Sequence, residues 1–187
     1  KSKIVQNYFK NFIKFDKPFF YKINKVKISI TLSYTGKNTL TGGRIKRMSK
    51  FIEENENFMF TYGDGVSNVN IKKLVKFHKK NKNLITVTAV RPPARFGEIT
   101  IANNQVSSFK EKPQVTEGWI NGGFFISNFN FFKFIKGNNT ILEREPLEKA
   151  AKKKQLYAFK HKGFWKCMDT LRDKDVLEKI YKNNKFN

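Results

Sequence analysis

Apolar residues recur along this chain with periods that switch between those of a helix and those of a strand. Residues 4–13 place Ile4, Tyr8, Phe9 and Phe12 at helical spacing and predict a short helix. Residues 19–34 are rich in aromatic and β-branched side chains and alternate across Val26, Ile28, Ile30 and Leu32, which predicts one or two strands. A polar turn, Gly36-Lys37-Asn38, comes next, and Thr41-Gly42-Gly43 precedes a short helix with Ile45, Met48 and Ile52 on its apolar face. Phe58 to Tyr62 predicts a buried strand that stops abruptly at Gly63-Asp64-Gly65. A helix predicted over 70–81 buries Ile71, Leu74 and Val75, with His78 on the same face. Leu84 to Val90 predicts another strand, so the middle of the chain reads strand, helix, strand, the unit of a parallel sheet.

Beyond Arg91-Pro92-Pro93, two shorter strands at about 97–101 and 105–110, joined through Asn103-Asn104, predict a hairpin. Trp119 to Ile126 predicts a strand interrupted by Gly122-Gly123. Helices are predicted at 129–136 and 143–154, then a strand at 156–161 and a last helix at 173–183. No internal repeat, linker or low-complexity tail breaks the series, so the expectation is one three-layer α/β domain over 1–187. Its central sheet is expected to be mainly parallel, with ligands at the carboxyl ends of the strands.

Composition changes this picture little. An apolar share of 39% with 20 Phe belongs to a chain that folds, and no run of apolar residues is long enough to span a membrane. The one cysteine, Cys167, excludes an intrachain disulfide and fits a reducing, cytoplasmic setting. The net charge of +23 raises nucleic-acid binding as a competing reading. Only six of the 38 basic residues are Arg, however, and the 32 lysines are spread along the chain rather than clustered. A dedicated nucleic-acid surface would cluster Arg and interleave exposed aromatics. Such a charge still draws anionic substrates.

Five short segments carry candidate chemistry, and each also has a bland reading. Asp64, between two glycines at a strand end, could meet a phosphate and its metal, or could simply sit in a turn. Asp169 in Met168-Asp169-Thr170 could give a second carboxylate to the same ion, or the segment could cap the next helix. Lys112 in Phe109-Lys110-Glu111-Lys112-Pro113 could meet a phosphate as a compact charge, or belong to a solvated charge cluster. In Trp119-Ile120-Asn121-Gly122-Gly123 the Asn121 amide could pair with a sugar hydroxyl beside a close backbone approach, or the glycines could mark a bulge. Thr39-Leu40-Thr41-Gly42-Gly43-Arg44 could offer free helix-start N–H groups and a guanidinium to a nucleotide, or form a capped loop.

The order and spacing of these segments are more specific than any one of them. Together with Thr86 to Pro93, Arg95-Phe96-Gly97, Glu143-Arg144-Glu145-Pro146-Leu147-Glu148 and Gly163-Phe164-Trp165 through Asp173, the sequence resembles the sugar-nucleotide pyrophosphorylases. These are the nucleotidyltransferases that make nucleotide sugars. The Arg-Pro-Pro and Trp-Ile-Asn-Gly-Gly blocks resemble the cytidylyl branch more than the thymidylyl, uridylyl and guanylyl branches. The resemblance implies a Rossmann-like nucleotidyltransferase fold and transfer of a cytidylyl group from CTP to glucose 1-phosphate. It further implies Mg2+ held by Asp64 and Asp169, with Lys112 on the sugar phosphate. Glu111, Asn121 and Gly122 would line the sugar pocket, Thr39 and Arg44 would contact the nucleotide, and Arg144 would reach the sugar phosphate. A homo-oligomer without membrane or specific nucleic-acid partners is expected. The family begins with a strand and a loop of Gly-Gly-x-Gly-(Thr/Ser)-Arg type that cradles phosphates, and no such loop occurs in this sequence. The expectation is therefore an N-terminally truncated chain, with another sugar-1-phosphate nucleotidylyltransferase (thymidylyl or uridylyl) or an inactive sugar-phosphate-binding fragment as the alternatives.

Overall fold

The computed structural model describes residues 2–9, 14–92, 98–102, 104–110 and 118–183, without the side chains of 2, 98–102, 109 and 110. A four-stranded sheet forms the centre, in the order β3 (Asn57–Thr61), β8 (Ile120–Asn128), β5 (Ile85–Val90), β9 (Leu156–Lys160). β3, β5 and β9 run the same way. β8 runs against them, antiparallel to both β3 and β5, so β5–β9 is the parallel ladder of this sheet. The expected strand–helix–strand unit is present, but its two strands are separated by β8 rather than adjacent. Between β5 and β8 lies the antiparallel hairpin of β6 (Glu98–Ala102) and β7 (Gln105–Lys110), with no crossover helix among the described residues. A return without a crossover leaves a strand free to run back antiparallel, which is how β8 enters.

Side-chain alternation along β5 sorts the layers. Ile85 and Val87 face a cluster of Phe125, Phe131, Phe132, Ile135, Leu142 and Ala150, the last of these on α4 (Glu145–Lys152). Thr86 faces the other way and meets His78 of α3 (Ile71–Asn81), with Nδ1 and Oγ1 2.9 Å apart. Burial lowers the pKa of that imidazole. Leu74 and His78 make the buried stripe of α3, while Ile71, expected inside, is 40% exposed in the first turn. On β3 the inner face is a run of rings: Phe58 stacks on Phe132 at 4.8 Å and Phe60 on Phe125 at 4.6 Å.

The segment after β8 is a 3-10 helix, Phe129–Phe134, rather than the predicted α-helix over 129–136. Asn128 caps it by accepting from Asn130 N, and Ile135 is already extended. The first two strands, β1 (Pro18–Ile23) and β2 (Val26–Thr31), form a separate hairpin turned by Asn24 at φ 53°. The first helix, α1, spans Ser2–Tyr8, and α2 spans Thr41–Arg47. No helix among the described residues is long and apolar enough to cross a membrane.

Candidate functional site

Two three-residue strands, not foreseen in the sequence, bring the two expected carboxylates together. β4 (Gly65–Ser67) pairs antiparallel with β10 (Trp165–Cys167), with Gly65 opposite Cys167. The ladder extends one step outward, where Met168 N donates to Asp64 O at 2.9 Å. Asp64 and Asp169 thus leave the same end of one clip, about a hundred positions apart in sequence. One carboxylate oxygen each from Asp64 and Asp169 and the Cys167 sulfur lie within 4.8 Å of one another. Two ionised carboxylates this close repel by about 1 kcal/mol even in water. A cation between them reverses the sign of that interaction.

The clip is anchored on both sides. Trp165 Nε1 donates to Gly122 O of β8 at 2.8 Å. On the other side Thr170 caps α5 (Leu171–Lys182) through a capping box with Asp173, and Lys166 bonds Asp173 at 2.7 Å. Lys166 and Thr170 together hold the Asp173 carboxyl down at about 2. The capping and metal-holding readings of this segment are therefore compatible: Thr170 caps, and Asp169 is left facing Asp64.

Cys167 donates to Asp169 Oδ1 at 3.3 Å. Burial, that hydrogen bond and the two carboxylates push its thiol up to about 11. A neutral thiol is a poor ligand for a hard cation, which selects oxygen. The donor set that remains, two accessible carboxylates, suits Mg2+ with phosphate oxygens completing its shell.

A second group of polar side chains adjoins this pair. Tyr62, the residue after β3, continues its ring face and packs edge-on to Phe125 at 5.7 Å. Its hydroxyl donates to Glu143 Oε1 at 2.6 Å and accepts from Asn121 Nδ2 at 3.0 Å. Burial, the Glu143 carboxylate and, more weakly, Asp64 hold the phenol proton well above its ordinary range. Thr41 donates to the other Glu143 oxygen at 2.9 Å, and Asn121 Oδ1 accepts from Gly123 N at 2.9 Å. Thr41, Tyr62 and Glu143 are the members that sequence reasoning passed over. The available signal was Tyr62, a phenol at the end of an apolar face, which requires a polar partner there.

The glycine pair of β8 lies where the strand is both bulged and closely packed. The β5 register shifts between Val87 and Ala89, opposite Phe125 and Asn121, which marks a bulge. A Cβ at Gly122 would lie 2.8 Å from Val90 Cγ1, and one at Gly123, where φ is +81°, would lie 2.8 Å from the Tyr62 ring. The bulge is present at this pair, and it seats Tyr62 beside Asn121.

The helix start at Thr41-Gly42-Gly43 corrects an expectation. Its N–H groups are not free: Gly42 N and Gly43 N donate to Thr140 O at 2.9 and 3.3 Å, and Leu40 N to Asn138 O at 2.8 Å. The glycines admit the 138–140 loop, since a Cβ on Gly43 would lie 2.6 Å from Asn138 O. Thr39 is buried, and the Arg44 guanidinium bonds Thr35 Oγ1 at 2.6 Å and Lys37 O at 3.3 Å, beside a cavity of about 690 Å3. Arg144, at the N-cap of α4, lines a groove of about 580 Å3 with Asn138, Thr140 and Glu145, apart from the Glu143 network. Glu111 and Lys112 lie outside the described residues.

The chain as a whole has known relatives. The family model described as Nucleotidyl transferase matches residues 1–176. Glucose-1-phosphate cytidylyltransferase of Salmonella typhimurium is 40% identical over 99% of this chain and 76% of its own length. A probable glucose-1-phosphate cytidylyltransferase of Bacillus subtilis is 37% identical over 81% of this chain and 59% of its own length. Among solved structures, HddC from Yersinia pseudotuberculosis superposes with a TM-score of 0.62 at 21% identity, covering 84% of this chain and 69% of that one, which shows a common fold. The chain belongs to the nucleotidyl transferase family, in the group that includes the glucose-1-phosphate cytidylyltransferases.

Proposed function

We propose that the protein transfers a cytidylyl group from CTP to α-D-glucose 1-phosphate, giving CDP-glucose and pyrophosphate. The carrying observation is the convergence of Asp64 and Asp169 in a chain 40% identical to a glucose-1-phosphate cytidylyltransferase. The phosphate oxygen of the sugar attacks the α-phosphorus in line, and the bond to the pyrophosphate oxygen breaks. Little covalent help is required from the protein, so positioning and charge neutralisation dominate. Asp64 and Asp169 would hold Mg2+, which fits their all-oxygen, closely spaced donor set. When bound there, the ion offsets the negative charge that the phosphates bring together.

The remaining roles follow the chemistry of each residue. Lys112 supplies a point charge to the sugar phosphate, and Arg144 a second cation. Asn121, with an amide donor and acceptor, recognises a sugar hydroxyl together with Glu111 and the Gly122 backbone. Thr39 and Arg44 are assigned to the nucleotide; Arg44 stands exposed in α2 beside an open cavity, which supports its part in this, whereas Thr39 is buried and would act through its neighbours.

The test is pyrophosphate release from CTP in the presence of glucose 1-phosphate, with and without Mg2+, and with UTP or dTTP in place of CTP. Metal-dependent release that prefers CTP is expected. Full activity in Asp64→Ala sinks the metal assignment, and equal turnover of UTP or dTTP sinks the base assignment.

A further inference from the structure

The Thr41–Glu143–Tyr62–Asn121 chain of hydrogen bonds has a fixed polarity. Glu143, when ionised, can only accept, and it does so at both oxygens: from Thr41 at Oε2, 2.9 Å, and from Tyr62 at Oε1, 2.6 Å. Thr41 can give its proton in that direction because its oxygen already accepts from Leu142 N at 2.9 Å. Tyr62 spends its only proton on Glu143, so toward Asn121 its oxygen must act as acceptor. The Asn121 amide is thereby oriented, with Nδ2 toward Tyr62 at 3.0 Å and Oδ1 toward Gly123 N at 2.9 Å. One N–H and one lone pair of that amide are left for a ligand. Were the Tyr62 proton turned toward Asn121, the amide would have to present Oδ1 there and would lose its bond from Gly123 N.

We infer that Glu143 is a positioning residue which, through Tyr62, fixes the orientation of the Asn121 amide and so sets which hexose 1-phosphate hydroxyl pattern is accepted. The inference rests on the proposed role of Asn121 at the sugar. Four places in the fold contribute one member each: the start of α2, the residue after β3, the turn before α4, and β8. A carboxylate is required because an amide at position 143 accepts with one end and donates with the other. Glu143→Gln therefore forces either Thr41 or Tyr62 to reverse.

The experiment compares wild type, Glu143→Gln and Tyr62→Phe at matched thermal stability. It measures KM and kcat for glucose 1-phosphate, KM for CTP, and the preference for glucose 1-phosphate over its galactose and mannose epimers. Both variants should raise KM for glucose 1-phosphate about tenfold, the scale of one hydrogen bond near 1.4 kcal/mol. They should leave KM for CTP within about twofold and reduce the glucose preference. In 15N-resolved spectra of the ligand-free protein, the two Asn121 side-chain amide protons should shift in Glu143→Gln. Unchanged sugar KM and epimer preference in both variants overturns the inference, as does a parallel rise in both KM values. Absence of any sugar-phosphate turnover by wild type overturns the reading of the site itself, and with it this role for Glu143.

Discussion

Two glycine-bearing segments, Gly63-Asp64-Gly65 and Thr41-Gly42-Gly43, look alike as sequence and behave oppositely in the fold. A Cβ added at Gly63 would meet nothing within 4 Å. One added at Gly43 would lie 2.6, 2.7 and 2.9 Å from three backbone atoms of Asn138. The first segment is held by the rung from Met168 N to Asp64 O beside the Gly65–Cys167 pair, and turns its carboxylate outward to another carboxylate. The second spends its amides on Thr140 O and buries both glycines under the 138–140 loop. A glycine beside a polar residue therefore says only that backbone comes close to something. Whether that something is a ligand or another stretch of chain depends on where the amides are spent.

That contrast can be broken by substitution, beginning with the largest effect. Gly43→Ala should destabilise by about 2–3 kcal/mol, or roughly 5–10 °C in Tm by thermal unfolding, because only backbone is available to move. Gly123→Ala should cost about 1–2 kcal/mol in the same measurement: its φ of +81° strains an L residue, but the Tyr62 ring can shift. Its sugar KM should rise as well, since Tyr62 loses its seat. Gly63→Ala should change stability by no more than about 0.5 kcal/mol, because a Cβ there meets no protein atom, and should lower turnover if that open side takes the proposed substrate. A loss of stability at Gly63 equal to that at Gly43 would erase the distinction.

The smallest effect concerns the clip that presents Asp169. The Asp173 carboxyl is held at about 2 against an ordinary 3.8, chiefly by Lys166. A depressed folded pKa gives stability that is present above 3.8 and is lost as pH falls through about 2. Asp173→Asn should remove that share of the acid limb, seen as a flatter fall of Tm with pH over this window. An unaltered acid limb would mean the capping box does not hold the loop.

What the sequence made legible follows from the range of the interactions involved. Strands such as Ile85–Val90 and Leu156–Lys160, and the helix Ile71–Asn81, are set by local periodicity and were readable. The direction of Ile120–Asn128 was not, because antiparallel and parallel partners impose the same alternation on a buried strand. Asp64 and Asp169 were readable as candidates. The rungs that join them, Gly65–Ser67 with Trp165–Cys167, are too short to leave a period of two. Glu143 was hidden for a related reason: its partners Thr41 and Tyr62 lie 102 and 81 positions away, and nothing in the Glu-Arg-Glu run distinguishes the residue turned inward from those facing the groove.

The central claim is that Asp64 and Asp169 act as one unit on one ion. A double-mutant cycle on Mg2+-dependent pyrophosphate release tests it, using Asp64→Asn, Asp169→Asn and the pair, each near-isosteric with the carboxylate it replaces. Each single change should lower kcat/KM by about a hundredfold or more, and the double variant should fall little further, as groups that share one task do. Losses that multiply in the double variant, or full activity in either single one, would contradict it.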